Sequence, residues 1–301
     1  MNQERNIVIL IDSSAVIHRN YHGYPDFYNE YNGQQININT LHGYINYIHK
    51  LNKEFQYHDC IHILDPEGGS AYRKQIYPQY KMNRPETPED LKIQKNLFTK
   101  VLDGFSQRWI QVPGIESDDV IATLAHRHAL RGDAVLVLTP DKDLLQLVED
   151  NKITVAKYVK SPSSAYSQYQ DKVHDFYNEM GVFQKLGVAP YQVADYLALI
   201  GDTSDNIIGV KNIGPKKAAD LLSKYGDIET IITQAASITG KLGENIRAAI
   251  DIMPLMKKLT LTMRNADVPD ISTIQPVNDK VLNMNIRELI KAKTEWSDTL
   301  L

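Results

Sequence analysis

The 301-residue chain has a single cysteine, Cys60, so it can form no intramolecular disulfide. It also lacks a long apolar segment. The earliest hydrophobic run, Ile7 to Ile11, is far shorter than the roughly 20 residues that cross a bilayer and too short for a secretory h-region. These two absences point to a reducing, cytoplasmic setting with no membrane partner. Neither sign of charge is in excess: 37 acidic residues stand against 33 basic ones, for a net charge of −4. Net charge therefore does not announce a polyanionic partner, and the distribution of charge has to decide. Gly68-Gly69 is not followed by G-K-[ST], which excludes a triphosphate-cradling loop of that kind. No fixed-period repeat or heptad array is present. With 43% hydrophobic residues the chain can bury a sizeable core, as one large domain or a domain with a smaller appendage.

What is present is a series of short apolar runs, each ending in acid. Asn6 to Ile11 leads into Asp12, and Cys60 to Leu64 leads into Asp65. Arg108 to Val112 precedes Pro113-Gly114 and then Glu116, Asp118 and Asp119. Ala134 to Thr139 passes through Pro140 to Asp141 and Asp143. Continuous apolar runs alternating with helical periodicity predict a mostly parallel α/β sheet covered on both faces. In such sheets the working crevice lies at the carboxyl ends of the strands. A helix is expected to open near Ser117, where Asp118 alone would read as an N-terminal cap favoured by the helix dipole. From about residue 175 the pattern turns helical. Residues 160–172, with Ser161-Pro162-Ser163-Ser164, read as a polar linker or surface insertion.

Asp12, Asp65, Glu116, Asp118, Asp119, Asp141, Asp143, Asp202 and Asp205 form one candidate constellation. Taken singly, each reads as a cap, a turn former or a solvated charge. Gathered in one crevice they would repel one another and raise their own pKa values unless a cation sat among them. No cysteine or histidine cluster accompanies them, and His126 and His128, two apart on a helix, face different directions. An all-oxygen donor set suits Mg²⁺, with Mn²⁺ able to substitute, and disfavours zinc. Two such ions can activate a water and stabilise the leaving oxygen in an in-line displacement, which is the chemistry of phosphodiester hydrolysis.

Two basic segments flank this centre. Residues 72–85 mix bases, aromatics and prolines and read as a loop or arch outside the core. Gly209-Val210-Lys211-Asn212-Ile213-Gly214-Pro215-Lys216-Lys217 joins a glycine-punctuated turn to a helix opened by proline, a form in which backbone amides and lysines can approach a phosphate. The short spacing from Asp202 and Asp205 to this turn would let one end of the segment serve the metal and the other grip the same substrate.

The chain resembles the structure-specific 5′ nucleases, the family of flap endonucleases and of the 5′-3′ exonuclease domain of bacterial DNA polymerase I. The resemblance rests on I-D-S-S at Asp12, I-L-D-P at Asp65, Y-R-K-Q-I-Y-P-Q-Y-K-M-N-R from Tyr72, P-G-I-E-S-D-D-V from Pro113, T-P-D-K-D-L-L-Q-L from Thr139 and G-D-T-S-D-N-I-I-G-V-K-N-I-G-P-K-K from Gly201. These motifs occur in order and span roughly residues 6 to 290. The resemblance implies a PIN-like α/β nuclease core over 1–175 with an arch at about 72–100. It also implies a helical DNA-binding region over 176–301 with a helix-hairpin-helix type motif at about 195–225. Asp65, Glu116, Asp118, Asp119 and Asp141 would serve a first metal with Asp12 close by, and Asp143, Asp202 and Asp205 a second.

By the same resemblance Lys81 and Arg84, catalytic basic residues at the foot of the arch, would contact the scissile phosphate, and Tyr80 would stack on a nucleobase. Arg73, Lys211, Gly214, Lys216 and Lys217 join them as expected DNA contacts, with K⁺ expected at the hairpin. The implied activity is 5′-3′ exonuclease and 5′ flap endonuclease cleavage of branched or nicked duplexes. The implied form is a free-standing, monomeric enzyme of a bacterial or phage-infected cell. Removal of RNA from RNA-DNA hybrids, or non-catalytic recognition of branched DNA, are the alternatives. Ser13, where many members have glycine, and Pro66 depart from the family pattern without removing a ligand. No clamp-binding peptide stands out in Trp296 to Leu301.

Overall fold

The computed structural model describes residues 5–158 and 174–274. The 160–172 linker and the Trp296–Leu301 tail lie outside the described residues. The strands are β1 (Ile7–Asp12), β2 (Tyr28–Tyr31), β3 (Gln34–Asn37), β4 (Asp59–Leu64), β5 (Arg108–Gln111), β6 (Ala134–Leu138), β7 (Ile153–Tyr158) and β8 (His174–Tyr177). The first helices are α1 (Ser13–Gly23), α2 (Asn39–Glu54), α3 (Ala71–Ile76), α4 (Glu89–Gly104) and α5 (Ser117–Arg131). The later ones are α6 (Glu179–Leu186), α7 (Val193–Ile200), α8 (Pro215–Tyr225), α9 (Ile228–Thr233), α10 (Gly240–Arg247) and α11 (Met253–Thr260).

Six strands form one sheet in the order β5-β4-β1-β6-β7-β8, parallel throughout except for antiparallel β8 at one edge. β2 and β3 make a separate antiparallel hairpin. The four apolar runs of the sequence are β1, β4, β5 and β6. Polar β8 and the short hairpin carry too little apolar alternation to be read as strands. In the sheet, side chains alternate between faces. Val8 and Leu10 belong to the buried cluster that takes in α5, α7, α8 and α11, while Ile9 and Ile11 belong to the one that takes in α1, α2 and α4. All four are 0–1% exposed, and each such burial stabilises the fold by about 1.5–3 kcal/mol.

After β1 the chain proceeds outward to β4 and β5 on one side. It returns to β6 and β7 on the other, so β1 and β6 flank the point where strand order reverses. That reversal opens a crevice at the carboxyl ends of the two strands. Asp12 ends β1, Asp65 follows β4, Glu116 caps α5, and Asp141 follows β6.

The expected arch over 72–100 is corrected by the structure. α4 buries Leu91, Leu97, Phe98, Val101 and Leu102, because its apolar residues recur at helical spacing and the sheet face needs covering. Within the preceding segment Arg73, Tyr77 and Tyr80 are buried and belong to the core. Only Met82 to Glu86 form a continuously exposed stretch. The departure at Ser13 has a packing reason: its hydroxyl lies 2.6 Å from Tyr44 Oη, which in turn lies 2.8 Å from His62 Nδ1.

Candidate metal centre

Asp12 is held from two sides. Its Oδ1 accepts from Ala15 N (3.1 Å), capping α1, and its Oδ2 accepts from the Thr139 hydroxyl (2.7 Å). Asp65 Oδ1 accepts from Ser117 N (2.8 Å), and Asp65 N donates to Ser14 Oγ (2.8 Å). Asp141 N donates to Thr139 Oγ1, and Asp141 Oδ1 accepts from Asp143 N, both at 2.9 Å. One hydroxyl therefore ties the β1 acid to the acids after β6.

The electrostatics are those of acids gathered without enough positive charge. Burial, with help from Asp65 and Asp141, pushes the Asp12 carboxyl up to about 7. Burial and the neighbouring Asp141 and Asp12 hold Asp118 well above the usual range. Burial and Asp141 push Asp143 up to about 8. Asp143 Oδ1 is buried and has no hydrogen-bond partner. Among the described residues no three acidic, histidine or cysteine side chains close into a finished metal cage. The donor set is nevertheless all carboxylate, mutually repelled, with a buried oxygen left unsatisfied. That chemistry fits a hard divalent cation.

Three cations pair with Glu116, Asp202 and Asp205. Lys81 Nζ lies 2.5 Å from Glu116 Oε1 and 3.8 Å from Asp205 Oδ2, and Arg84 Nη2 lies 2.6 Å from Asp205 Oδ1. Lys142 Nζ lies 3.1 Å from Asp202 Oδ2. Burial works against the charge on Lys81, but Glu116 and Asp205 outweigh it and raise its pKa. Burial likewise opposes charge on Asp202, while the Ser204 hydroxyl and Lys142 outweigh it and hold that carboxyl below its ordinary value. The acids thus divide by charge balance: Glu116, Asp202 and Asp205 are paired with cations, whereas Asp12, Asp118 and Asp143 are left under-compensated.

Three expected roles are corrected. Arg73 is 3% exposed and cannot meet DNA. Its guanidinium bridges Glu116 and both oxygens of Asp119 and donates to the carbonyls of Leu259 and Leu261. Asp119 is 0% exposed and also accepts from Met263 N, so its carboxylate serves this internal lock and not the crevice. Tyr80, 4% exposed, directs its hydroxyl to Glu116 and Asp205 (3.2 Å each) and offers no face for a base to stack on. The family resemblance implied these roles from motif positions, which do not show which way each side chain turns. Lys142, Thr139, Ser14 and Ser204 were not singled out, although each sits beside a marked acid.

The glycine-punctuated turn joins α7 to α8. Gly201 has φ +79°, and a Cβ there would meet Gly209 N at 2.5 Å; a Cβ on Gly209 would meet Ile200 O at 2.4 Å. Backbone therefore crosses backbone, and only glycine fits at both places. Gly214 precedes Pro215, the first residue of α8. Lys211, Lys216 and Lys217 are exposed, and Lys217 Nζ donates to Asn212 O (3.0 Å). A cavity of about 670 Å³ lies against this turn, lined by Asn212, Gly214, Lys217, Lys241 and Asn245 among others.

Comparison with known proteins gives two family-model matches. Residues 7–187 match the 5′-3′ exonuclease N-terminal resolvase-like domain, and residues 188–280 match the 5′-3′ exonuclease C-terminal SAM fold. A 5′-3′ exonuclease of Aquifex aeolicus is 27% identical over 290 residues, covering 94% of this chain and 93% of that protein. One from Buchnera aphidicola is 31% identical, covering 87% and 85%. The DNA polymerase I of Caldicellulosiruptor bescii is 32% identical over 84% of this chain, which spans 28% of that longer protein. Among solved structures, T5 5′-exonuclease with bound zinc superposes with a TM-score of 0.65 at 21% identity, over 95% of this chain and 99% of that one. The catalytic core of Rad2 in complex with DNA substrate superposes with a TM-score of 0.61 at 14% identity, over 99% and 91%.

Proposed function

This chain belongs to the 5′-3′ exonuclease family, and from that premise we propose that it is a Mg²⁺-dependent 5′ nuclease cutting 5′ flaps and nicked duplexes close to the junction. The observation that carries the reading is the imbalance of charge in the cluster: Asp12, Asp118 and Asp143 are left under-compensated beside Lys81 and Arg84, which are already paired to Glu116 and Asp205. Asp12, Asp65, Asp118 and Asp141 would hold one ion, with Glu116 beside them, and Asp143, Asp202 and Asp205 a second. When bound, the metal supplies Lewis acidity and a water of lowered pKa; Mn²⁺ can replace Mg²⁺.

The chain's own groups do the rest. Lys81 and Arg84 stand where negative charge grows on the reacting phosphate, and a preorganised cation there favours the transition state over the bound substrate. Asp12, Asp65 and Asp141 are braced by backbone amides and by the Thr139 hydroxyl, so their carboxylates are oriented before substrate arrives. The exposed lysines of the 209–217 turn, with K⁺ bound at that turn, would grip the duplex backbone and set the distance to the cut. These contacts go to phosphates and carry no base information. The exposed Met82–Glu86 stretch would guide the 5′ single strand, with the enzyme acting as a monomer.

Product mapping on 5′-labelled flap, nicked and blunt duplexes, with Mg²⁺ present and absent, tests this reading. Metal-dependent cuts near the flap junction support it. Binding to the flap without cleavage in either condition would instead mark a branch-recognition protein.

A further inference from the structure

The turn bearing Lys81 is closed by its own backbone bonds, Met82 N to Gln79 O (3.1 Å) and Arg84 N to Lys81 O (3.2 Å), and is also clasped from outside. Asn206, on the loop that follows Asp202 and Asp205, donates its Nδ2 to Gln79 O at 2.8 Å and accepts at its Oδ1 from Asn83 Nδ2 at 2.9 Å. A single carboxamide thus ties together the two ends of the turn on which Lys81 sits. One residue earlier, Asp205 O accepts from Lys81 N at 3.1 Å. Lys81 has φ +59° and Asn206 φ +57°. A left-handed lysine is strained backbone that its surroundings must hold, whereas asparagine adopts that region comparatively readily. The loop carrying Asn206 is itself closed by reciprocal backbone bonds, Asp202 N to Ile207 O (2.9 Å) and Ile207 N to Asp202 O (2.7 Å). The clasp therefore transmits the position of a rigid loop to the Lys81 turn.

The geometry points to Asn206 as a positioning residue for the nuclease reaction. Its carboxamide fixes the Gln79–Arg84 turn and so the place from which Lys81 and Arg84 meet the reacting phosphate. This inference rests on the phosphate role proposed above for Lys81. Asn206 makes no hydrogen bond to Asp12, Asp118 or Asp143, and it acts through the turn.

The test uses Asn206→Gly, which keeps the left-handed backbone and removes the carboxamide, and Asn83→Ala, which removes only the outer hydrogen bond. For each variant, alone and combined with Lys81→Ala, the single-turnover rate on one 5′ flap in Mg²⁺ and the flap affinity in Ca²⁺ are measured alongside the melting temperature. Losing two net hydrogen bonds predicts a rate about tenfold lower for Asn206→Gly, a smaller loss of the same sign for Asn83→Ala, and little change in affinity. In the Lys81→Ala background each change should cost much less than in wild type, only the part carried by Arg84, because one of the two groups they position is gone.

A wild-type rate for Asn206→Gly beside a slow Lys81→Ala rejects the positioning role alone. So does a rate loss that multiplies undiminished with Lys81→Ala, which would mark a merely structural residue. A normal rate for Lys81→Ala removes the phosphate role and this inference with it. If Asn206→Gly fails to fold, the cycle between Asn83→Ala and Lys81→Ala decides by the same criteria.

Discussion

Replacing Asp12 by asparagine should stabilise the metal-free protein, and more so at high pH. Asp12 is 2% exposed, and burial reinforced by Asp65 and Asp141 lifts its carboxyl from 3.8 to about 7. A carboxyl whose pKa is raised on folding binds its proton more tightly in the folded state than in the unfolded one. Its penalty is therefore absent below about pH 4, grows through the interval between the two values, and is complete above about pH 7. Three units at about 1.4 kcal/mol each give a ceiling of about 4 kcal/mol at pH 8, and less than half of that at pH 5.

Asparagine can preserve the local bonds. Its Oδ1 still accepts from Ala15 N, and its Nδ2 can donate to the Thr139 hydroxyl oxygen that now donates to Asp12. Urea unfolding at pH 5 and pH 8 with chelator present should show the variant ahead of wild type at pH 8 by more than twice its margin at pH 5. Millimolar Mg²⁺ should then narrow the gap by stabilising wild type. A variant less stable than wild type at both pH values would refute the repulsion argument and reduce Asp12 to a helix cap.

Other expectations follow from the same geometry. Arg73→Met should cost about 3–5 kcal/mol in urea unfolding, because it leaves Asp119 buried without its partner; a near-neutral result would show that the lock is dispensable. Gly209→Ala places a methyl 2.4 Å from the Ile200 carbonyl, where no side chain can yield. It should therefore lower stability by about 1–3 kcal/mol or more, read as a drop in melting temperature. Lys216→Ala with Lys217→Ala should weaken binding to all duplex sequences alike and reduce the salt slope by about one unit per lost phosphate contact. An unchanged slope would make the turn purely structural.

The sheet was legible because parallel strands buried on both faces must be continuously apolar, as Ile7–Asp12 and Ala134–Leu138 are. The acids were legible because those strands deliver them at one end. What escaped was direction. Tyr72 to Arg84 is polar and proline-bounded, yet Arg73 and Tyr80 turn inward to satisfy Glu116 and Asp119, a choice set by partners more than thirty residues away. α4 fell within the arch that the family resemblance implied, and its charged face left the apolar stripe that packs it visible only at helical spacing. Lys142 was passed over for the opposite reason: it lies within a marked run, and only its 3.1 Å approach to Asp202 separates it from a solvated charge.

The central claim, that the carboxylate crevice hydrolyses the 5′ strand through bound metal, is tested most directly by single-turnover cleavage of a 5′ flap as Mg²⁺ is titrated. Wild type and Asp141→Asn are compared, with flap affinity in Ca²⁺ and the melting temperature measured for both. Cleavage should rise from none with added Mg²⁺ in wild type and be abolished in Asp141→Asn, with affinity and folding retained. Cleavage that persists in chelator, or an Asp141→Asn variant that cuts at the wild-type rate, would contradict it.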